Sequence, residues 1–249
     1  MSDTDEYHKL FRAANSPTSD LRQLEEIVDR GDELLSASVA LNPSCSKSLL
    51  DKLAISNDAE VKRNLRSRFE TYPELYSMGV REVKELDAEY LYSLRTNEGY
   101  SKYISKVSNG VEAQQKYIKQ YELDNESKRT SFYFIFENKR TNTRCGTVRI
   151  YNFEHDKFEW GSWILDENKS RYAALETAIL VYEFAFNALG FDKSEFEVNK
   201  ENSGVVSYHK RTGAEVIGED ATNYYFRVTK EVGLACAKTF REKLVSQEH

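Results

Sequence analysis

The periodicity of the chain changes twice between Lys193 and Ala214, and few folds accommodate that change. Over residues 194–198, Phe196 and Val198 alternate with acidic side chains, which predicts a strand with one buried face. Asn199, Lys200 and Glu201 end the alternation. Asn202 and Ser203 are good N-cap residues, and Val205, Val206 and Tyr208 then fall on a short helix. The helix stops at Thr212 and Gly213, where glycine supplies the left-handed C-terminal turn, and a new strand begins near Ala214.

The first part of the chain reads differently. It is helical in pattern and nearly free of aromatic residues between Leu21 and Arg68. Leu24 matches Leu50 at a fixed offset, and so do Ile27 and Leu53, Val28 and Ala54, Asp32 and Asp58, Leu35 and Val61, and Val39 and Leu65. Self-similarity of this kind marks stacked helical units, the alternative being an ordinary helical bundle with coincidental spacing, and two units bury too little surface to stand alone. The segment therefore has to lean on the rest of the chain or on a partner. Pro73 and Gly79 interrupt helical periodicity, so the expected organisation is a helical-repeat domain over 1–79, a second domain over 80–230 and a C-terminal helix within 231–249. Within the second domain the pattern predicts strands at 83–86, 132–137, 147–151, 158–165 and 224–229. Helices are expected at 88–95, 111–121, 171–189 (closed by Gly190) and 231–245.

Composition excludes several function classes. A net charge of -6 argues against nonspecific nucleic-acid binding. The 3 cysteines are dispersed and form no cluster with the 4 histidines, so neither a disulfide framework nor a metal site is expected. No apolar run approaches the roughly 18 residues that span a bilayer, and a cytoplasmic location is the simplest expectation. The 16 Tyr and 13 Phe suit either a β-rich core or surfaces that bind rings and sugars.

Asn199, Asn202, Tyr208 and Gly213, in that order and spacing, resemble the last third of the GNAT superfamily of acyl-CoA N-acyltransferases, with Ala214 in place of the family's Phe. The resemblance runs from about Val80 to Lys230 and implies an α+β fold: a mixed, mainly antiparallel sheet flanked by helices, here preceded by a small all-α domain similar to leucine-rich-variant or HEAT-like repeats. It implies an N-acetyltransferase with acetyl-CoA as co-substrate and no metal. The stretch 159–165 corresponds to the family's central strand, so Ile164 and Leu165 are expected along the pantetheine arm. Lys169, Ser170, Arg171, Tyr172, Ala173 and Ala174 stand where the family holds the pyrophosphate, at a helix start whose free N–H groups and dipole attract an anion. Tyr172 replaces a glycine of the family pattern there. Glu176 and Phe186 support this register.

Acetyl transfer to an amine needs a proton acceptor, stabilisation of an oxyanion and a proton for the departing thiolate. Glu159 is the candidate acceptor, the alternative being a surface strand carboxylate. Tyr208 stands where the family places its general acid, the alternative being a core aromatic. Asn202 is expected to contact the cofactor, to cap its helix, or both. Arg95 and Asn97 resemble the acceptor-binding pair of the branch containing nucleotide-linked aminosugar and ribosomal-protein N-acetyltransferases. Tyr133, Trp160 and Trp163 are candidate stacking rings for the acceptor. The favoured acceptor is a small-molecule amine on a nucleotide-linked sugar. The alternatives are a protein N-terminus or lysine recruited through the helical domain, and a non-catalytic interaction protein. A homodimer through edge strands or the C-terminal helix is compatible with the sequence.

Overall fold

The computed structural model describes residues 3–104, 110–127 and 129–246, with the side chains of residues 3, 126 and 127 excepted. Five helices come first: α1 (Asp3–Asn15), α2 (Leu21–Asp29), α3 (Glu33–Leu41), α4 (Lys47–Ala54) and α5 (Ala59–Glu70). Short polar side chains start four of them, since Asp20, Asp32, Ser46 and Asp58 each accept a backbone N–H of the following turn. The spacing seen in the sequence becomes packing. Leu24 and Leu50, Ile27 and Leu53, Leu35 and Val61, and Val39 and Leu65 all lie in one buried cluster. Ala54 breaks the pattern and is exposed.

A 7-stranded sheet follows, in the order β1-β2-β3-β4-β5-β7-β6. The strands are β1 (Met78–Glu82), β2 (Phe132–Asn138), β3 (Thr143–Glu154), β4 (Lys157–Leu165), β5 (Lys193–Asn199), β6 (Glu215–Glu219) and β7 (Asn223–Thr229). All neighbours are antiparallel except β4 and β5, which run parallel. The strand expected at 83–86 lies instead at Met78–Glu82. Val83 is buried, but the chain turns there because the Asp87 carboxylate, 0% exposed, accepts from Lys84 N and from Arg81.

Helices cover both faces of the sheet. On one lie α9 (Ala173–Glu183), α10 (Ser203–Arg211) and α11 (Lys230–Val245), over Phe132, Phe134, Phe136, Phe158 and Phe226. On the other, α6 (Ala88–Thr96) and α8 (Gly110–Ser127), with the short α7 (Glu98–Ser101) between them, cover Tyr133 and Ile135. Burial on both faces explains the unbroken apolar run in β2. The helix expected over 171–189 begins at Ala173 and ends in a wider π turn, Phe184–Ala188.

The helical region is joined to this sheet by one buried cation. Arg68 donates to Ala40 O and Asn42 O on its own side, and to Ala188 O and Asn187 O at 2.6 Å across the joint. Beside it Lys47 N donates to Gly190 O at 2.8 Å. Among the described residues no helix is long and apolar enough to cross a membrane, and no group of three or more His, Cys, Asp or Glu is placed to hold a metal.

Candidate active site

The site lies where β4 leaves β5. The two strands pair only at Lys157 with Lys193 and Phe158 with Ser194. Further along, the register of β4 against β3 slips between Gly161 and Ile164, and Ser162 takes φ 48°. A serine in the left-handed region is uncommon and persists only where its surroundings fix it. The resulting bulge bends β4. Backbone groups of residues 160–165 that point toward β5 have no strand partner, so a ligand can take their hydrogen bonds.

On the α9 and α10 side of this opening stand Tyr208 and a pinned loop. Tyr208 donates its hydroxyl to Ala174 O at 2.9 Å, and burial pushes its ionisation up, so it stays protonated. The loop leading to α9 is held at several points. Tyr90 donates to Asp166 at 2.7 Å, Asn138 donates to Asn168 O at 2.7 Å, and the hydroxyls of Ser77 and Ser170 are hydrogen-bonded at 2.6 Å. Glu176, 0% exposed, fixes Ser77 by accepting from both its N–H and its hydroxyl. Lys169 and Arg171 bring two cations to the helix start, whose N-cap Tyr172 gives α9 no side-chain bond. The Tyr172 ring rests edge-on against Tyr76 and on the main core. Ala173 and Ile164 are buried, and Leu165 packs on the core. Asn202 caps α10 by accepting from Val205 N.

Glu159 stands on the opposite face, because side chains alternate along β4. Tyr151, its cross-strand partner, donates to one carboxylate oxygen at 2.6 Å, and Asn152 donates to the other at 2.8 Å. Glu159 lines a cavity of about 640 Å³ with Glu195, Glu197, Ile217 and Tyr225. Glu195 is neutralised by Lys157 and Arg227, whereas among the described residues Glu197 accepts a long bond from Asn223 and has no ion-pair partner. Such a mouth favours a cation such as an ammonium group.

Several expected residues lie elsewhere. Trp160 is 4% exposed and packed against Tyr182, Phe196 and His209. Position 160 falls on the helix-covered face, so the ring offers no stacking surface. Trp163 lies beside it against Tyr208. Tyr133 is 1% exposed under α8, edge-on to Tyr121, with Arg95 nearby. Asn97 caps α7 by accepting from Gly99 N. The sequence reading missed Tyr151 and Asn152. The hairpin turn at His155 and Asp156 sets the register that brings Tyr151 opposite Glu159, and that register was the available signal.

Residues 78–215 match the Acetyltransferase (GNAT) domain family, which spans over half of the chain. The chain belongs to the GNAT acetyltransferases. Residues 8–69 match the Leucine Rich Repeat Variant domain. A solved structure described as apo FdhC, a nucleotide-linked sugar GNAT, is 37% identical, with 69% of this chain and 97% of that chain covered at a TM-score of 0.64. The spermidine N-acetyltransferase from Vibrio cholerae, solved with CoA and spermine, is 16% identical over 64% of this chain and 98% of its own, TM-score 0.56. The ribosomal-protein-S5-alanine acetyltransferase from Vibrio fischeri is 16% identical over 65% and 97%, also at 0.56. Comparison with curated proteins finds no match. This GNAT chain is thus an N-acetyltransferase of a family that uses acetyl-CoA, and the helical region lies outside the residues that match that family.

Proposed function

We propose that this GNAT enzyme transfers the acetyl group of acetyl-CoA to the primary amine of a nucleotide-linked aminosugar. The observation that carries the reading is the pair of proton-handling groups on either face of the bulged strand, Glu159 on one and Tyr208 on the other. The 37% identity to a nucleotide-linked sugar GNAT supports the acceptor class.

The chemistry follows from the geometry. An ammonium entering the acidic cavity gives a proton to Glu159, directly or through water, and becomes nucleophilic. Its lone pair attacks the thioester carbonyl, the C–N bond forms, and the carbonyl electrons move onto oxygen. Unpartnered N–H groups of β4 are placed to bind that oxyanion. As the C–S bond breaks, the thiolate takes a proton from Tyr208, which turns from Ala174 O to supply it, while the nitrogen gives up its second proton, which restores the Tyr208 hydroxyl through water, and Glu159 returns its own proton to solvent. Lys169, Ser170, Arg171 and the first turn of α9, with Ala173 and Ala174, would hold the pyrophosphate. Residues 164 and 165 would lie along the pantetheine arm, and Asn202 would order the helix that carries Tyr208. The Tyr172 ring, packed on Tyr76, is compatible with an anion at this helix start. Arg95 would border the acceptor.

The test is thiol release from acetyl-CoA with three acceptor sets: nucleotide-linked aminosugars, spermidine, and peptides with N-terminal alanine. A kcat/KM at least about tenfold higher for an aminosugar nucleotide supports the reading. Preference for either other set overturns it.

A further inference from the structure

A cavity of about 780 Å³ lies between α4 of the helical region and the end of the sheet formed by β2 and β3. Its charged lining is Lys47, Asp51, Arg129 and Arg149, an excess of positive charge in a chain whose net charge is -6. Arg129 is committed to Glu82 and Glu70, and Lys47 to Asp51. Arg149 is different. It donates to the hydroxyls of Tyr117 at 2.5 Å and Ser131 at 3.2 Å, and its Nε is buried with no partner. Among the described side chains no carboxylate pairs with it. A guanidinium surrounded by tyrosine rings and left without a counter-ion is an anion site, and its planar fork fits phosphate oxygens.

The cavity also adjoins the acceptor site. Asn152 lines both cavities, and Tyr151, in the wall of this one, holds Glu159 in the other. Arg149 precedes Tyr151 by two strand positions on the same face, about 7 Å at the rise of a strand.

We infer that this cavity binds the diphosphate of a nucleoside-diphosphate-linked acceptor, through Arg149 with Arg129 and Lys47 in support. The leucine-rich-variant helices would then form one wall of the acceptor site. The inference rests on the acceptor reading above. The volume lies in the range of ligand pockets and suits a nucleoside diphosphate.

Coenzyme A also carries a diphosphate, so the test keeps its site filled. Uridine diphosphate is titrated calorimetrically into the full chain saturated with CoA. The expected result is binding that weakens at least about tenfold in Arg149→Ala, with CoA affinity unchanged. Ala54→Trp, which places a large ring in the cavity from α4 and removes no arginine, should weaken it as well. No binding to the CoA-saturated protein, or equal binding by both variants and the native chain, overturns the assignment. The two readings fail separately. Acetylation of an aminosugar nucleotide with no role for Arg149 leaves the acceptor class standing and removes this site. Arg149-dependent binding of uridine diphosphate in an enzyme that acetylates only spermidine supports the anion site and removes the acceptor class.

Discussion

Glu159→Gln separates chemistry from architecture at this site. Glutamine has the volume of glutamate and can keep both contacts. Its carbonyl oxygen accepts from Asn152, and its amide donates to the Tyr151 hydroxyl oxygen, whose hydrogen rotates away. The fold then loses no more than about 1 kcal/mol for the rearranged hydrogen bond. What disappears is the proton acceptor, and a positioned base contributes roughly 10²- to 10⁴-fold, or about 3 to 5 kcal/mol of transition-state stabilisation. The variant should lose that factor in kcat/KM near neutral pH while its melting temperature stays close to the native value. The pH profile adds a second signature. Without an acceptor, turnover follows the fraction of acceptor amine that is already neutral, which rises about tenfold per pH unit until the amine pKa is reached. The native enzyme has the acceptor and climbs less steeply. Measured by thiol release from about pH 6 to about pH 10, the two curves should converge toward high pH. A variant within about threefold of native at neutral pH, or a deficit independent of pH, would refute a base role for Glu159.

Tyr208→Phe should lower kcat by at least about tenfold while leaving CoA affinity nearly unchanged, since it removes a donor and one bond to Ala174 O worth about 1 kcal/mol; steady-state kinetics with CoA titration separates the two. Arg68→Ala removes a donor from each of the carbonyls of Ala40, Asn42, Asn187 and Ala188, of which Asn42 O keeps its 3.2 Å bond from Cys45 N. At about 1 kcal/mol each, urea unfolding should show a loss near 4 kcal/mol, and Arg68→Lys should recover only part because an ammonium lacks the planar fork. Burial pushes the His209 imidazole down to about 3, so it stays neutral when folded. The unfolded chain takes up a proton below about pH 6.5, and stability should fall by up to about 1.4 kcal/mol per unit from there toward the folded value. His209→Gln should flatten that part of the stability curve, and an unchanged slope would assign the acid sensitivity elsewhere.

The legible parts of this chain were those whose information is local. Asp32 and Asp58 cap helices because a short carboxylate reaches the third N–H from either position, so the repeat could be read from spacing alone. Alternation before the bulge at Ser162 likewise separates Glu159 from Phe158 and Trp160 on β4. It could not show which face the helices cover, and for that reason Trp160 and Tyr133 were expected at a ligand and are found in the core. The first strand was misplaced because Gly79 reads as a breaker, while its pairing with Glu137 is set by β2, far along the chain. The Tyr151, Asn152 and Glu159 cluster needed strand register, and the position of Arg149 beside α4 needed the tertiary fold.

Arg68 and Gly190 decide how the role of the helical region can be probed. Gly190 has φ 75°, and a Cβ there would meet Cys45 O at 2.7 Å and Lys47 N at 2.8 Å, so the sheet domain approaches the helical turn at backbone distance. Leu75 and Met78 belong to the main core, with Phe69 and Tyr72 packed against it. Cutting the chain before residue 80 would therefore remove part of the acetyltransferase core and unpair the carbonyls that end α9, and lost activity would say nothing about the acceptor. Ala54 faces the cavity from α4, is exposed, and does not belong to the buried cluster of the helical region. A substitution there changes what the helices present to a ligand and leaves the joint intact, so an effect on nucleotide affinity at Ala54 speaks for the helices as a binding wall.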